Sequence, residues 1–234
     1  MKKEKKVEKK EQGVQSHEGF VVRVFKFFDQ YNKIIYGVVI ALFVVVAALL
    51  AFNKFYLLPQ SEKASALMTA PIDFMLKADS LSLVKALEGD DENEGFLNIA
   101  SSFKLTKTAN TAKYFAGLCY LKLGDKEEAL KYLLKFKHRD DIYWYGAQGM
   151  ISDLYDDQGD IKKAIKYCKK SAESKDPYLA PVSLFKLGQL YEREEEWGDA
   201  SKAYQSIQDK FYTEYLKMGV DKYLERALIN KDKK

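Results

Sequence analysis

The most apolar stretch of the chain runs from Ile34 to Phe52 and reads IIYGVVIALFVVVAALLAF, nineteen residues without a charge between Lys33 and Lys54. As an α-helix it is about 28 Å long, close to the roughly 30 Å hydrocarbon thickness of a bilayer. A cleaved secretory signal has a shorter apolar region, and the nearest Ala-x-Ala pattern, at 64–66, lies well downstream. A buried core helix would need a domain large enough to surround it. The pattern therefore predicts an uncleaved transmembrane helix over 34–52.

Beyond this helix, a second pattern recurs about every 35 residues: a small residue, a tyrosine three positions later, a turn residue and then an alanine. The three copies are Gly117-Tyr120-Gly124-Ala129, Ser152-Tyr155-Gly159-Ala164 and Gly188-Tyr191-Glu195-Ala200. The small residue lets a second helix approach closely, and the glycine ends the first helix in the left-handed conformation. Asp125 and Asp160 are expected to cap the second helix. The pattern resembles tetratricopeptide repeats of about 34 residues, although Glu195 departs from the expected glycine.

These patterns predict an all-α protein: a single N-terminal transmembrane helix, then a tetratricopeptide-type α-solenoid of about three to four repeats with a C-terminal capping helix. Only 13 Gly and 4 Pro occur, which disfavours a β-sandwich. Pro71 is expected to kink or restart a helix in a connecting stalk. The predicted segments are a basic tail and juxtamembrane segment at 1–33, the transmembrane helix at 34–52, a stalk at 53–78, and a repeat domain at 79–234 that comprises a degenerate repeat at 79–108, repeats at about 110–143, 145–179 and 181–212, and the capping helix at 213–230.

Charge is unevenly distributed along the chain. Residues 1–33 carry nine Lys/Arg against five Asp/Glu, whereas residues 55–234 carry 28 against 29. The positive-inside rule then predicts a cytoplasmic N-terminus and a translocated repeat domain. In a bacterium this means a single-pass inner-membrane protein with a periplasmic domain. Because the excess basicity belongs to the tail, the folded part is not expected to bind nucleic acid.

Few residues are suited to catalysis or metal binding. Two histidines and two distant cysteines do not make a metal site, and no cofactor is predicted. The HRDD sequence at 138–141 is like a kinase catalytic loop, but no glycine-rich phosphate loop or DFG accompanies it. We therefore predict neither an enzyme nor a small-molecule substrate. Cys119 and Cys168 occupy packing positions and are predicted to be buried thiols, with a disulfide as the alternative.

The order of basic tail, single anchor and translocated repeats resembles the YfgM-type ancillary subunit family of the Sec translocon, in the form found in Bacteroidetes-like bacteria. The segments from Asp79 to Phe103 and from Ala112 to Phe136 are also similar to that group. The resemblance implies a protein-transport and chaperone role, with Sec translocon subunits, a periplasmic chaperone or nascent secreted chains as partners. Two other classes stay open: a scaffold or assembly factor of another envelope complex, and a regulator that sequesters a signalling protein.

The resemblance to tetratricopeptide repeats also implies a ligand groove, lined by fixed positions on the first helix of each repeat. These positions are Tyr114, Leu118 and Leu121 in the first copy, Asp153, Asp156 and Asp157 in the second, and Phe185, Gln189, Glu192 and Arg193 in the third. Such a groove is aromatic at its flanks and acidic in the middle, which suits a peptide with apolar anchors and a basic residue. For each acid, a solvated helix face is the alternative.

Overall fold

The computed structural model describes residues 22, 30–31, 33–34, 36–137 and 142–233. Most of the predicted tail at 1–33 and the HRDD segment at 138–141 therefore lie outside the described residues. The chain divides into two compact units, Met1–Leu58 and Pro59–Lys234.

In the first unit, residues 36–52 form helix α1, which a π-helical turn at Asn53–Leu57 follows. Every side chain of α1 is exposed, although the helix is apolar on all sides. Such a helix is stable when lipid or protein surrounds it. Within the described residues, the helical run Tyr36–Lys77 is the one that is long and apolar enough to cross a membrane.

The second unit is built from helices, and its described residues form no strand. Its helices are α2 (Leu58–Leu67), α3 (Thr69–Lys77), α4 (Ser80–Glu88), α5 (Phe96–Ser102), α6 (Lys107–Leu123), α7 (Lys126–Lys135), α8 (Ile142–Asp157), α9 (Ile161–Ala172), α10 (Leu179–Arg193), α11 (Trp197–Lys210), α12 (Tyr212–Met218) and α13 (Asp221–Lys231). The pairs α6/α7, α8/α9 and α10/α11 are the helix hairpins of the three predicted repeats, and α9 also packs against α10.

The turn inside each hairpin has the same geometry. Gly124, Gly159 and Glu195 end the first helix with φ values of +84°, +77° and +56°. In all three turns, the N–H of the next residue donates to the carbonyl oxygen of the repeat tyrosine at 2.9 Å. Glu195 therefore keeps the same turn. The left-handed conformation costs a residue with a Cβ atom roughly 1–2 kcal/mol of conformational free energy.

The predicted caps of the second helices are confirmed in the first two repeats. Asp125 accepts a hydrogen bond from the backbone N–H of Glu128 at 3.0 Å, and Asp160 accepts one from Lys163 at 3.1 Å. Each bond satisfies a backbone donor that the first turn of a helix leaves free. The third repeat differs, because Glu196 precedes α11 without a side-chain cap.

Small residues set the crossing of the two helices in each hairpin. The contacts are Gly117 with Leu133, Ser152 with Ala164 through a 2.9 Å hydrogen bond from its hydroxyl to the Ala164 carbonyl oxygen, and Gly188 with the ring of Tyr204. The alanines of the second helices, Ala129, Ala164 and Ala200, are fully buried. Tyr120 and Tyr155 stack on Tyr132 and Tyr167, one on each second helix, with ring centroids 5.5 and 5.4 Å apart. The repeat pattern is thus a packing pattern.

The segment predicted as a stalk at 53–78 differs from that prediction. From Pro59 onward it belongs to the second compact unit. Ala64 and Met68 are buried in one cluster with residues of α4, α5 and α6. The helix restarts at Thr69, so Pro71 falls in the first turn of α3, where its missing N–H leaves no bond unmade. Apolar burial, which local sequence does not reveal, makes this segment part of the repeat domain.

The C-terminal cap also differs from the single helix predicted at 213–230. Two helices, α12 and α13, occupy this region, and Gly219 ends the first with φ +58°. Leu224 and Ala227 of α13 are buried against α11 and its neighbours. A turn at Gly219 is needed to bring these apolar side chains onto the last repeat, because a continuous helix would carry them away from it.

Candidate binding groove

The three residues predicted to line the groove in the first repeat lie on α6. Tyr114 is buried, with its ring 5.4 Å from Phe136 and 5.2 Å from Tyr143 between centroids. Leu118 and Leu121 are half-buried and pack on the same cluster. The Tyr114 ring therefore contributes to the hydrophobic core and not to an aromatic flank of an open surface.

The three predicted acids of the second repeat lie on α8, and each forms an ion pair. Asp157 contacts Lys126 at 2.8 Å. Asp153 pairs with Lys186 of α10. Asp156 pairs with Arg193, also of α10, and its carboxylate is 3.7 Å from Lys186. The acids therefore connect α8 to the neighbouring repeats.

In the third repeat the four predicted residues have different environments. Phe185 is half-buried, and its ring meets that of Tyr223 edge to face at 4.8 Å. Gln189 is exposed. The carboxylate of Glu192 accepts hydrogen bonds from both Nε, at 3.2 Å, and Nη2 of Arg226 in α13. Arg193 is the exposed partner of Asp156.

These pairs change the expected charge of the groove. The side chains of Asp156 and Glu192 are 20% and 11% exposed, whereas those of their partners, Arg193 and Arg226, are 50% and 51% exposed. The predicted acidic middle is therefore neutralised, and toward α13 the cationic partners face solvent. The difference has a physical cause: long arginine side chains from α10 and α13 cover the shorter acids of α8 and α10.

An open cavity of about 570 Å³ lies in the part of the groove where α8, α10, α11 and α13 meet. It is lined by Asp156, Lys186, Gln189, Leu190, Glu192, Arg193, Trp197 and Arg226. Four of these residues belong to the predicted groove set, and the other four do not. The sequence contains a signal for Lys186 and Arg226 as groove residues. They follow their acidic partners by 33 and 34 residues, which is about one repeat. No repeat position indicates Trp197 or Leu190.

The two cysteines are free thiols in separate clusters, as predicted. Burial raises the pKa of both Cys119 and Cys168 to about 12, so both stay protonated near neutral pH. The Cys168 thiol donates a 3.3 Å hydrogen bond to the carbonyl oxygen of Ser183. Within the described residues, no group of three or more His, Cys, Asp and Glu side chains is placed to hold a metal ion.

Comparison with family models agrees with the helix hairpins. One tetratricopeptide repeat model matches residues 111–137 and 145–177, and a second matches residues 182–211. The chain contains tetratricopeptide repeats. A comparison with curated proteins finds no significant match. Tetratricopeptide repeats present extended surfaces to other proteins, so the repeats indicate protein–protein interaction and give no sign of catalysis.

Proposed function

We propose that this protein is an ancillary factor of the Sec translocon. It holds its protein-binding tetratricopeptide-repeat domain at the outer face of the bacterial inner membrane. The observation that carries this proposal is the combination, in one chain, of an exposed apolar helix and a repeat domain with an open groove. Its partners would be translocon subunits, periplasmic chaperones or emerging secreted chains.

The proposed orientation follows from charge. Nine Lys/Arg precede α1, and positive charge on short flanking segments keeps them in the cytoplasm. The repeat domain is then periplasmic. Anchoring raises its effective concentration near other membrane proteins, so that modest affinity in the groove suffices for binding.

The proposed partners are tested by photo-crosslinking in cells. A photoreactive amino acid at Gln189, exposed in the groove, is expected to capture Sec channel subunits or periplasmic folding factors. The matched control carries the same residue at Lys202, exposed on α11 outside the cavity, and is expected to capture neither. Capture of another envelope complex without Sec components would make the protein a scaffold, and capture of one soluble regulator would make it a sequestering factor. Equal products from both positions would contradict binding in the groove.

The proposed topology is tested by thiol labelling. Because Cys119 and Cys168 are buried and protonated, a membrane-impermeant maleimide should leave the native chain unlabelled until it is denatured. The variant Lys202→Cys adds one exposed thiol to the repeat domain. We expect this thiol to react in intact spheroplasts without lysis. Labelling only after lysis would place the repeat domain in the cytoplasm and contradict the proposed orientation.

A further inference from the structure

One large apolar side chain is exposed at the start of each of the helices α6, α8, α10 and α12. Leu105 precedes α6, Ile142 begins α8, Tyr178 precedes α10 and Tyr212 begins α12. These side chains are 68%, 52%, 73% and 59% exposed, and they follow one another at intervals of about one repeat. Helices joined by short connections alternate in direction, so the four residues lie along one side of the repeat stack, the inter-repeat edge.

Contacts between neighbouring loops show that the inter-repeat edge is continuous. The side-chain oxygen of Asn110, in the first turn of α6, accepts a 3.2 Å hydrogen bond from the backbone N–H of Lys137, which precedes α8. A cavity of about 380 Å³ lies between the start of α8 and residues 174–176, which precede α10. Another, of about 390 Å³, lies between residues 172–175 and the pair Lys210 and Phe211, which precede α12. Successive loops therefore adjoin from α6 to α12.

The inter-repeat edge is also basic. Five exposed lysines accompany the apolar row: Lys104, Lys107, Lys137, Lys175 and Lys210. Among the described residues, none of these lysines forms an ion pair. Four acids lie beside them: Glu173, Asp176, Asp209 and Glu214. Asp176 accepts a hydrogen bond from the backbone N–H of Leu179 at the start of α10, and Glu214 pairs with Lys217. Unpaired cations therefore exceed unpaired acids along the described part of the edge.

This combination of side chains fits a lipid surface. Each apolar residue comes from a different repeat, so the row offers single contacts, whereas a bound helix needs a continuous apolar groove. Tyrosine has an apolar ring and a polar tip, which suits the boundary between lipid and water. Lysine stems can lie on apolar surface while their ammonium groups reach headgroups. The chain itself brings a bilayer within reach, because α1 is long, apolar and exposed on all sides.

We propose that the inter-repeat edge rests on the surface of the bilayer that holds α1, with its four apolar side chains at the level of the headgroups and its lysines against anionic lipid. The binding is peripheral and reversible, since single side chains and surface charges carry it. The inference requires α1 to lie in a membrane, but it does not depend on the Sec role proposed above.

The test measures the distance of the edge from lipid in the full chain. The chain is placed in nanodiscs of equal parts phosphatidylcholine and phosphatidylglycerol, in which some lipids carry a nitroxide quencher on the headgroup. A fluorophore is attached at Val182→Cys, exposed in the first turn of α10, and the buried native cysteines stay unlabelled. The matched control is Gln158→Cys, in the turn at the other end of α8, about 24 Å from Ile142. We expect quenching at Val182→Cys and none at Gln158→Cys.

The contribution of charge is tested with paired lysine variants. In the Val182→Cys background, Lys175→Gln with Lys210→Gln is expected to lower the ratio of docked to undocked domains by about tenfold or more, since each lysine near an anionic surface attracts it. Higher salt, or nanodiscs of phosphatidylcholine alone, should have the same effect. The matched control Lys162→Gln with Lys166→Gln removes two exposed charges of α9 outside the edge and should leave quenching unchanged.

The contribution of the apolar row is tested at its two tyrosines. Tyr178→Ser with Tyr212→Ser should lower quenching severalfold, because peripheral binding scales with the apolar area that enters the headgroup region. Tyr178→Phe with Tyr212→Phe keeps the apolar rings and should retain quenching. Both side chains are largely exposed, so the melting temperature should stay the same in all these variants.

No quenching at Val182→Cys, or equal quenching at Val182→Cys and Gln158→Cys, would overturn the inference. Equal losses from the two lysine pairs would also overturn it, because the edge would then have no special role. These results are distinguishable from failure of the proposed function. Capture of Sec components at Gln189 without quenching would overturn the inference alone. Quenching without such capture would support the inference and contradict the translocon role, and a chain that does not enter nanodiscs would overturn both.

Discussion

Placing arginine at both Val44 and Val45 is expected to move the protein out of the membrane fraction. Both residues lie near the middle of α1, where every side chain is exposed and no charge occurs. One arginine at the centre of a membrane helix costs about 2.5–3.5 kcal/mol on insertion scales, so two cost roughly 5–7 kcal/mol. Carbonate extraction followed by sedimentation measures the change.

The control for this experiment is Val44→Leu with Val45→Leu, which keeps the helix apolar and should remain with the membrane pellet. The result bears on the anchor alone, because α1 belongs to a different compact unit from the repeats. If the arginine variant sediments with the membranes as fully as the control does, something other than α1 holds the protein there, and the anchored architecture fails.

The second large effect is expected at the closest helix crossing in the third repeat. A Cβ atom added at Gly188 would overlap the ring of Tyr204, which is fully buried. Gly146→Ala is the matched control, since its new methyl group would lie 3.7 Å from the Tyr114 hydroxyl, an ordinary contact. Relative to this control, Gly188→Ala should lower the free energy of unfolding by about 1–3 kcal/mol.

Urea unfolding followed by near-ultraviolet circular dichroism measures this difference, because aromatic side chains surround the site. Both variants gain the same helix propensity from the loss of glycine, so the comparison isolates the steric clash. Equal stabilities would mean that Tyr204 can shift without cost. In that case the small residue would not set the approach of α10 and α11.

The ion pairs between repeats contribute little to stability. Pairs such as Lys126 with Asp157 are largely exposed on both sides, and exposed pairs typically contribute about 0–1 kcal/mol. A groove with several acids in its sequence nevertheless presents two half-exposed arginines, Arg193 and Arg226, to solvent near α13.

Much of the fold was predictable because it depends on local backbone chemistry. Gly124 and Gly159 adopt the left-handed conformation that glycine favours, and Asp125 and Asp160 cap the helices that follow. By its length and composition, the uncharged run of α1 is able to span a bilayer. Because the turn residues and caps recur about every 35 residues, they indicate that successive helix hairpins have the same structure.

Only the tertiary structure showed which side chains pack or pair with one another. The burial of Ala64 and Met68, the turn at Gly219 and the placement of Arg226 over Glu192 all require helices that are distant in sequence to meet. Backbone conformation is set within a few residues, so the sequence determined the helices, the repeats and the apolar anchor. Which charges neutralise each other is set by stacking between repeats, so only the tertiary structure determined the charge of the groove.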